Sequence, residues 1–230
     1  MNSLEEKKKE KKGSDKILFF SVIFLIIIFA IILSVRFLHK GKKVATIDEL
    51  HLLNIEGKLK PEQGYIYNGY SFVFVDGLWY TQIQSTSGRY LFDVPLHYGP
   101  RDVGDIPIEG WLNDSIFNSQ REIFITFNPL EPNLKYVALA IGEFDQNIIK
   151  TFDKIPIAAC DRNETKPCKS RPIIRCNNTR EPVFYAIQEE PTKIILKDNC
   201  IIVQGVGYEL VRAVDRLLLW LYGIMERNNG

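Results

Sequence analysis

The segment Tyr70–Gln84, YSFVFVDGLWYTQIQ, decides how the chain folds. Tyr70, Phe72 and Phe74 alternate with Ser71, Val73 and Val75; after Asp76-Gly77 the alternation resumes, Trp79, Thr81 and Ile83 against Leu78, Tyr80 and Gln82. A period of two belongs to extended strands, whose successive side chains point to opposite faces. Two such runs joined by Asp-Gly predict a hairpin, since a primed two-residue turn needs positive φ and glycine supplies it without a Cβ clash. Gly88 and the following RYLFDV predict a third strand and hence a β-meander. Both faces of this sheet are largely apolar, so both have to be covered.

Downstream, the segment from Pro95 to Gly110 reads as an ordered loop and holds His97, Tyr98, Arg101, Asp102 and Asp105, the densest group of chemically able side chains in the chain. His97 with Asp102 or Asp105 is the candidate acid–base pair; plain turn chemistry, with aspartate at bends and arginine paired to it, is the competing reading. REIFITF at 121–127 alternates like a strand. Apolar positions then recur at three and four through Tyr136, Val137, Ala140, Phe144, Ile148 and Phe152, predicting a helix capped by Asn133 and reaching about Thr151. Three β-rich segments follow, IPIAA, PVFYAI and TKIILKDNCIIVQ. A strand, a helix and a strand in series form a βαβ-like unit beside the meander, which makes the class α+β. The chain closes on a predicted amphipathic helix, with Leu210, Val211, Val214, Leu217, Leu218, Leu221 and Ile224 on its apolar face and Glu209, Arg212, Asp215 and Arg216 opposite.

Cys160, Cys168, Cys176 and Cys200 are even in number and lack the tight knuckle that structural zinc sites use. Two disulfides are expected. Three pairings exist, and the preferred one joins Cys160 to Cys168, closing a polar loop, and Cys176 to Cys200, tying one β segment to another. Asn113, Asn163 and Asn177 each begin an Asn-x-Ser/Thr sequon. Between Asp161 and Arg180 stand Arg162, Lys166, Lys169, Arg171, Arg175 and Arg180 against two acids, a local charge of +4. Such a patch is a candidate docking face for an acidic protein or glycan; solvated loop charge is the bland alternative.

Upstream lies the run Ile17–Val35, nineteen residues without a charge, fenced by Lys16 and Arg36. As a helix it covers about 28 Å, close to the thickness of a bilayer's hydrocarbon core. It is apolar on every face and longer than the apolar region of a cleaved signal peptide, so an uncleaved anchor at 17–36 is expected, with lipid as its partner. Six lysines precede it, whereas Arg36 and three lysines follow, which places residues 1–16 in the cytoplasm. The cysteines and sequons all follow the span, on the side where an oxidising exterior gives them a use. Residues 37–64 read as a stalk containing one short helix, capped by Thr46 with Glu49 three positions on, and 65–230 as the extracytoplasmic domain. The first 40 residues carry +4 and the remaining 190 carry −3. A domain so near to neutral offers no general footprint for nucleic acid.

The segments CDRNETKPCKSRPIIRC (160–176), NCIIVQG (199–205) and ELVRAVDRLL (209–218) together resemble a group of uncharacterised membrane-anchored archaeal proteins. The resemblance covers roughly the last third of the chain and implies an archaeal cell-surface setting, with no activity or catalytic residue attached. There is no H-E-x-x-H, no G-x-S-x-G and no metal-ligand spacing, so no cofactor or metal is expected. The function expected is that of a single-pass exterior module docking a partner through its basic, disulfide-tied loop. The alternative is a tethered hydrolase of envelope polymers built on His97.

Overall fold

The computed structural model describes residues 19–34, 45–85 and 88–227, in two units that divide after Ala45. In the first unit, residues 19–34 form a helix (α1) whose every position is exposed, from Phe19 to Leu33 and Ser34. Among the described residues no helix is long and apolar enough to cross a membrane. The ends of the expected crossing at 17–36 lie outside the described residues, as do the basic segment 1–16 and stalk residues 37–44.

The second unit is mixed α+β. Helix α2 (Ile47–Ile55) starts in a capping box, Thr46 Oγ1 accepting from Glu49 N while Glu49 Oε2 accepts from Thr46 N. The expectation of a stalk reaching residue 64 is corrected here, because α2 packs on the sheet. His51 and Asn54 are buried, and Asn54 Nδ2 donates to the carbonyls of Tyr65 and Phe72. Four antiparallel strands follow in sequential order: β1 (Gly64–Tyr67), β2 (Tyr70–Val75), β3 (Leu78–Gln84) and β4 (Leu91–Leu96). The β2–β3 turn has φ of 50° at Asp76 and 88° at Gly77, both in the left-handed region that a primed turn requires.

The other sheet has six strands in the order β5 (Ile108–Leu112), β9 (Lys193–Asp198), β10 (Cys200–Gln204), β8 (Val183–Ile187), β6 (Glu122–Phe127) and β7 (Ile155–Ala158). All its pairings are parallel except the β9–β10 hairpin. Helix α4 (Leu134–Phe152) joins β6 to its parallel neighbour β7, which is the expected βαβ-like unit. Short helix α3 (Asp114–Ser119) precedes β6, and α5 (Tyr208–Leu221) follows β10. Strand β5 approaches β9 so closely at Gly110 that a Cβ there would stand 2.1 Å from the Leu196 carbonyl oxygen, and its φ is +82°. Glycine is the one residue that position admits.

Helices α4 and α5 pack on each other, α4 touching both sheets and α5 the larger one, and one continuous apolar cluster runs from Phe72, Val94 and Leu96 of the meander to Phe184, Ile194 and Ile201 of the larger sheet. This placement overturns one expectation. Asp215 and Arg216, expected on the polar face of α5, are each 0 % exposed, because both faces of that helix are covered. Asn133 stands at the N-cap of α4 as expected, but in the left-handed conformation and with no side-chain cap hydrogen bond.

Candidate functional site

Both disulfides form in the preferred pairing, Cys160–Cys168 and Cys176–Cys200. The second fastens the polar segment to the first residue of β10. Elsewhere that segment is clamped to the sheet by hydrogen bonds: Thr126 Oγ1 donates to the Ile174 carbonyl, and Asn199 Nδ2 donates to the carbonyls of Thr179 and Glu181. Buried Asp161 is its hub, accepting from Arg162 Nε at 2.9 Å and from the Tyr185 hydroxyl at 2.8 Å, while Arg175 Nε donates to its main-chain oxygen. Two of the six predicted docking residues, Arg162 and Arg175, are therefore occupied in holding the loop. Lys166, Lys169, Arg171 and Arg180 are exposed and make no ion pair among the described residues. Sequon residues Asn163 and Asn177 are exposed on the same segment, whereas the Asn113 amide nitrogen donates to Asp198 Oδ1.

The loop after β4 is fastened differently from its expected acid–base role. Asp102 accepts from the Gly99 amide, and its carbonyl takes two donors from Arg212 of α5. Asp105 pairs with Arg212 at 2.7 Å. Neither carboxylate meets His97. The imidazole instead turns to α4, with Nδ1 2.7 Å from Glu143 Oε2, while the main-chain N–H of His97 donates to Glu143 Oε1. The next amide, Tyr98 N, donates to Asp215 Oδ2 at 2.7 Å. Residues 97 and 98 thus gather two buried carboxylates, one from each packed helix. Ligand atoms of His97, Glu143 and Asp215 all lie within 4.8 Å of one another.

The hydrogen bond to Glu143 raises the pKa of His97 above the ordinary histidine value. Burial, reinforced by Glu143, pushes the Asp215 carboxyl well above the usual carboxylate range. One turn further along α4, Asn147 donates to the Glu143 and Pro95 carbonyls and accepts from the Tyr222 hydroxyl. In front of it is a cleft of about 180 Å³, lined by Leu78, Pro95, His97, Leu139, Glu143 and Asn147. A larger apolar cavity of about 310 Å³ lies at the far ends of α4 and α5, lined by Ile123, Ile148, Phe152 and Trp220 among others. Asp114 and Lys154 also line it, and Lys154 donates to the carbonyls of Phe117 and Gln120.

Glu143 and Asp215 were not singled out from sequence. One signal was present: Glu143, Asn147 and Thr151 form an i, i+4, i+8 polar stripe beside the apolar positions of α4, and all three are buried. No protein-family model, curated protein or solved structure matches the chain.

Proposed function

We propose that the chain is a membrane-anchored exterior module that docks an acidic partner, protein or glycan, through the basic face of its cysteine-tied segment. One observation carries this reading: four exposed lysines and arginines, without ion pairs among the described residues, project from a segment tied by two disulfides and by the hydrogen bonds of Asp161. A preorganised surface loses less conformational entropy on docking than a free loop, and its charge speeds encounter. The anchoring half of the reading is supported by α1, where Phe20, Phe24, Leu25, Ile26 and Phe29 are each exposed by more than 60 %. A helix bare and apolar on every side calls for an apolar environment. The paired cysteines support an oxidising exterior for the rest of the chain, with the N-terminus inside.

Reversing two unengaged cations, Lys169→Glu with Arg171→Glu, is the test. On a sulfated polysaccharide resin at physiological salt the double variant should bind at least tenfold more weakly, with its melting temperature unchanged. Attraction screened over about 8 Å also predicts retention that fades with added salt. Equal retention of the two proteins, or retention indifferent to salt, contradicts the docking face.

A second reading is favoured by the cleft, where His97 is partly exposed and hydrogen-bonded to a buried carboxylate. That arrangement fixes the imidazole as a general base, which suits a tethered hydrolase of envelope polymers. Soluble sugar released from envelope polysaccharide by the native chain and lost in His97→Gln would support it; no release by the native chain eliminates it.

A further inference from the structure

We infer that His97, Glu143 and Asp215 form a binding site for a divalent transition-metal ion, Zn²⁺ or Mn²⁺, whose open coordination position faces the cleft beside Leu78 and Pro95. The three donors come from three separate elements, the end of β4, α4 and α5, and their ligand atoms already lie within 4.8 Å of one another. Tetrahedral zinc with bonds of about 2.0–2.2 Å sets its ligand atoms roughly 3.3 Å apart, so side-chain adjustments of about 1 Å close the set. An independent observation points the same way. Asp215 is 0 % exposed, and among the described residues its Oδ1 meets no N–H or hydroxyl donor, although Oδ2 of the same carboxyl is satisfied by Tyr98 N; the neighbouring group is instead the second buried carboxyl, Glu143. A buried polar atom left open beside a second buried carboxylate costs free energy unless a proton or a cation lies between them. A divalent ion neutralises both carboxylates at once, and one imidazole with two carboxylates is a donor set that zinc and manganese accept. The main-chain amides of His97 and Tyr98 orient the two carboxylates from outside the ligand set, as supports of a metal site do. Of the three ligands, His97 and Glu143 line the cleft and Asp215 does not, which makes the cleft the route of entry and the place of the remaining ligand.

This site shares His97 with the hydrolase reading but does not rest on it, since a bound ion serves a structural role equally well. The experiment therefore reads binding and not turnover. The full chain, without a histidine tag, is purified in detergent, stripped with a chelator and titrated calorimetrically with ZnCl₂ and, separately, with MnCl₂. Uptake of one equivalent of either ion, with a rise in melting temperature, is the expected result. Asp215→Asn keeps the side-chain shape and an acceptor for Tyr98 N, so it should fold while losing at least tenfold in affinity; His97→Ala should lose as much. Lys169→Glu with Arg171→Glu should bind the ion as the native chain does, which separates this site from the docking face. No uptake by the native chain, or uptake unchanged in Asp215→Asn, overturns the proposal and leaves the two carboxylates sharing a proton.

Discussion

Replacing Phe184 with alanine should cost about 4 kcal/mol of folding stability, the largest single effect expected in the domain. Phe184 stands in β8, an inner strand of the larger sheet, and is 0 % exposed. Its ring stacks on that of Phe144 in α4, with centroids 3.9 Å apart and planes 19° from parallel. The pair joins the sheet to the helix that also carries Glu143. Truncation removes the transfer free energy of a buried ring and leaves a void among close-packed neighbours that relax only in part. Urea unfolding followed by far-ultraviolet circular dichroism measures the loss as a fall in midpoint at constant slope. A loss under about 1 kcal/mol would mean that α4 does not seat on the sheet as described.

The second large effect concerns the bond between Cys176 and Cys200. Its sequence separation is 24, and closing a loop of that length restricts the unfolded chain by about 3.5 kcal/mol in the chain-entropy account. Replacing both cysteines with alanine should therefore destabilise the domain by roughly that amount, and the loss should be absent when the native protein is unfolded under reducing conditions as the reference. The same variant should weaken retention on the sulfated resin, because the cations at 166–180 then lose part of their rigid support. Unchanged stability would place the stabilisation of this segment in Asp161 and its hydrogen bonds alone.

Much of the architecture was legible because its signals are local. Period-two alternation and Asp76-Gly77 identified the β2–β3 hairpin, Thr46 with Glu49 identified the start of α2, and the three-and-four spacing identified α4 within a residue at each end. Asn68-Gly69 is an equally local signal: its φ values are 47° and 84°, and it makes the β1–β2 turn. The cysteine pairing followed from loop closure and from which β segments it would tie. The acid–histidine cluster was not legible, because Glu143 lies 46 residues from its partner His97 and Asp215 lies 117 from Tyr98. Contacts of that range leave no spacing in the sequence. Asp215 and Arg216 also misled for a physical reason: a charged pair on the minor face of an amphipathic helix marks solvent only when one face is covered, and α5 is covered on both. Asp102 and Asp105 drew attention by being near His97 in sequence, whereas Arg212 of α5 claims them.

The function proposed above requires the basic, disulfide-tied face to lie outside the cell on a chain whose N-terminus is inside. Protease added to intact cells, read by antibodies against the two ends of the chain, tests that placement most directly. The expected result is that everything beyond about residue 46 is digested while an epitope within residues 1–16 survives. A protected C-terminal domain with a degraded N-terminus would contradict it.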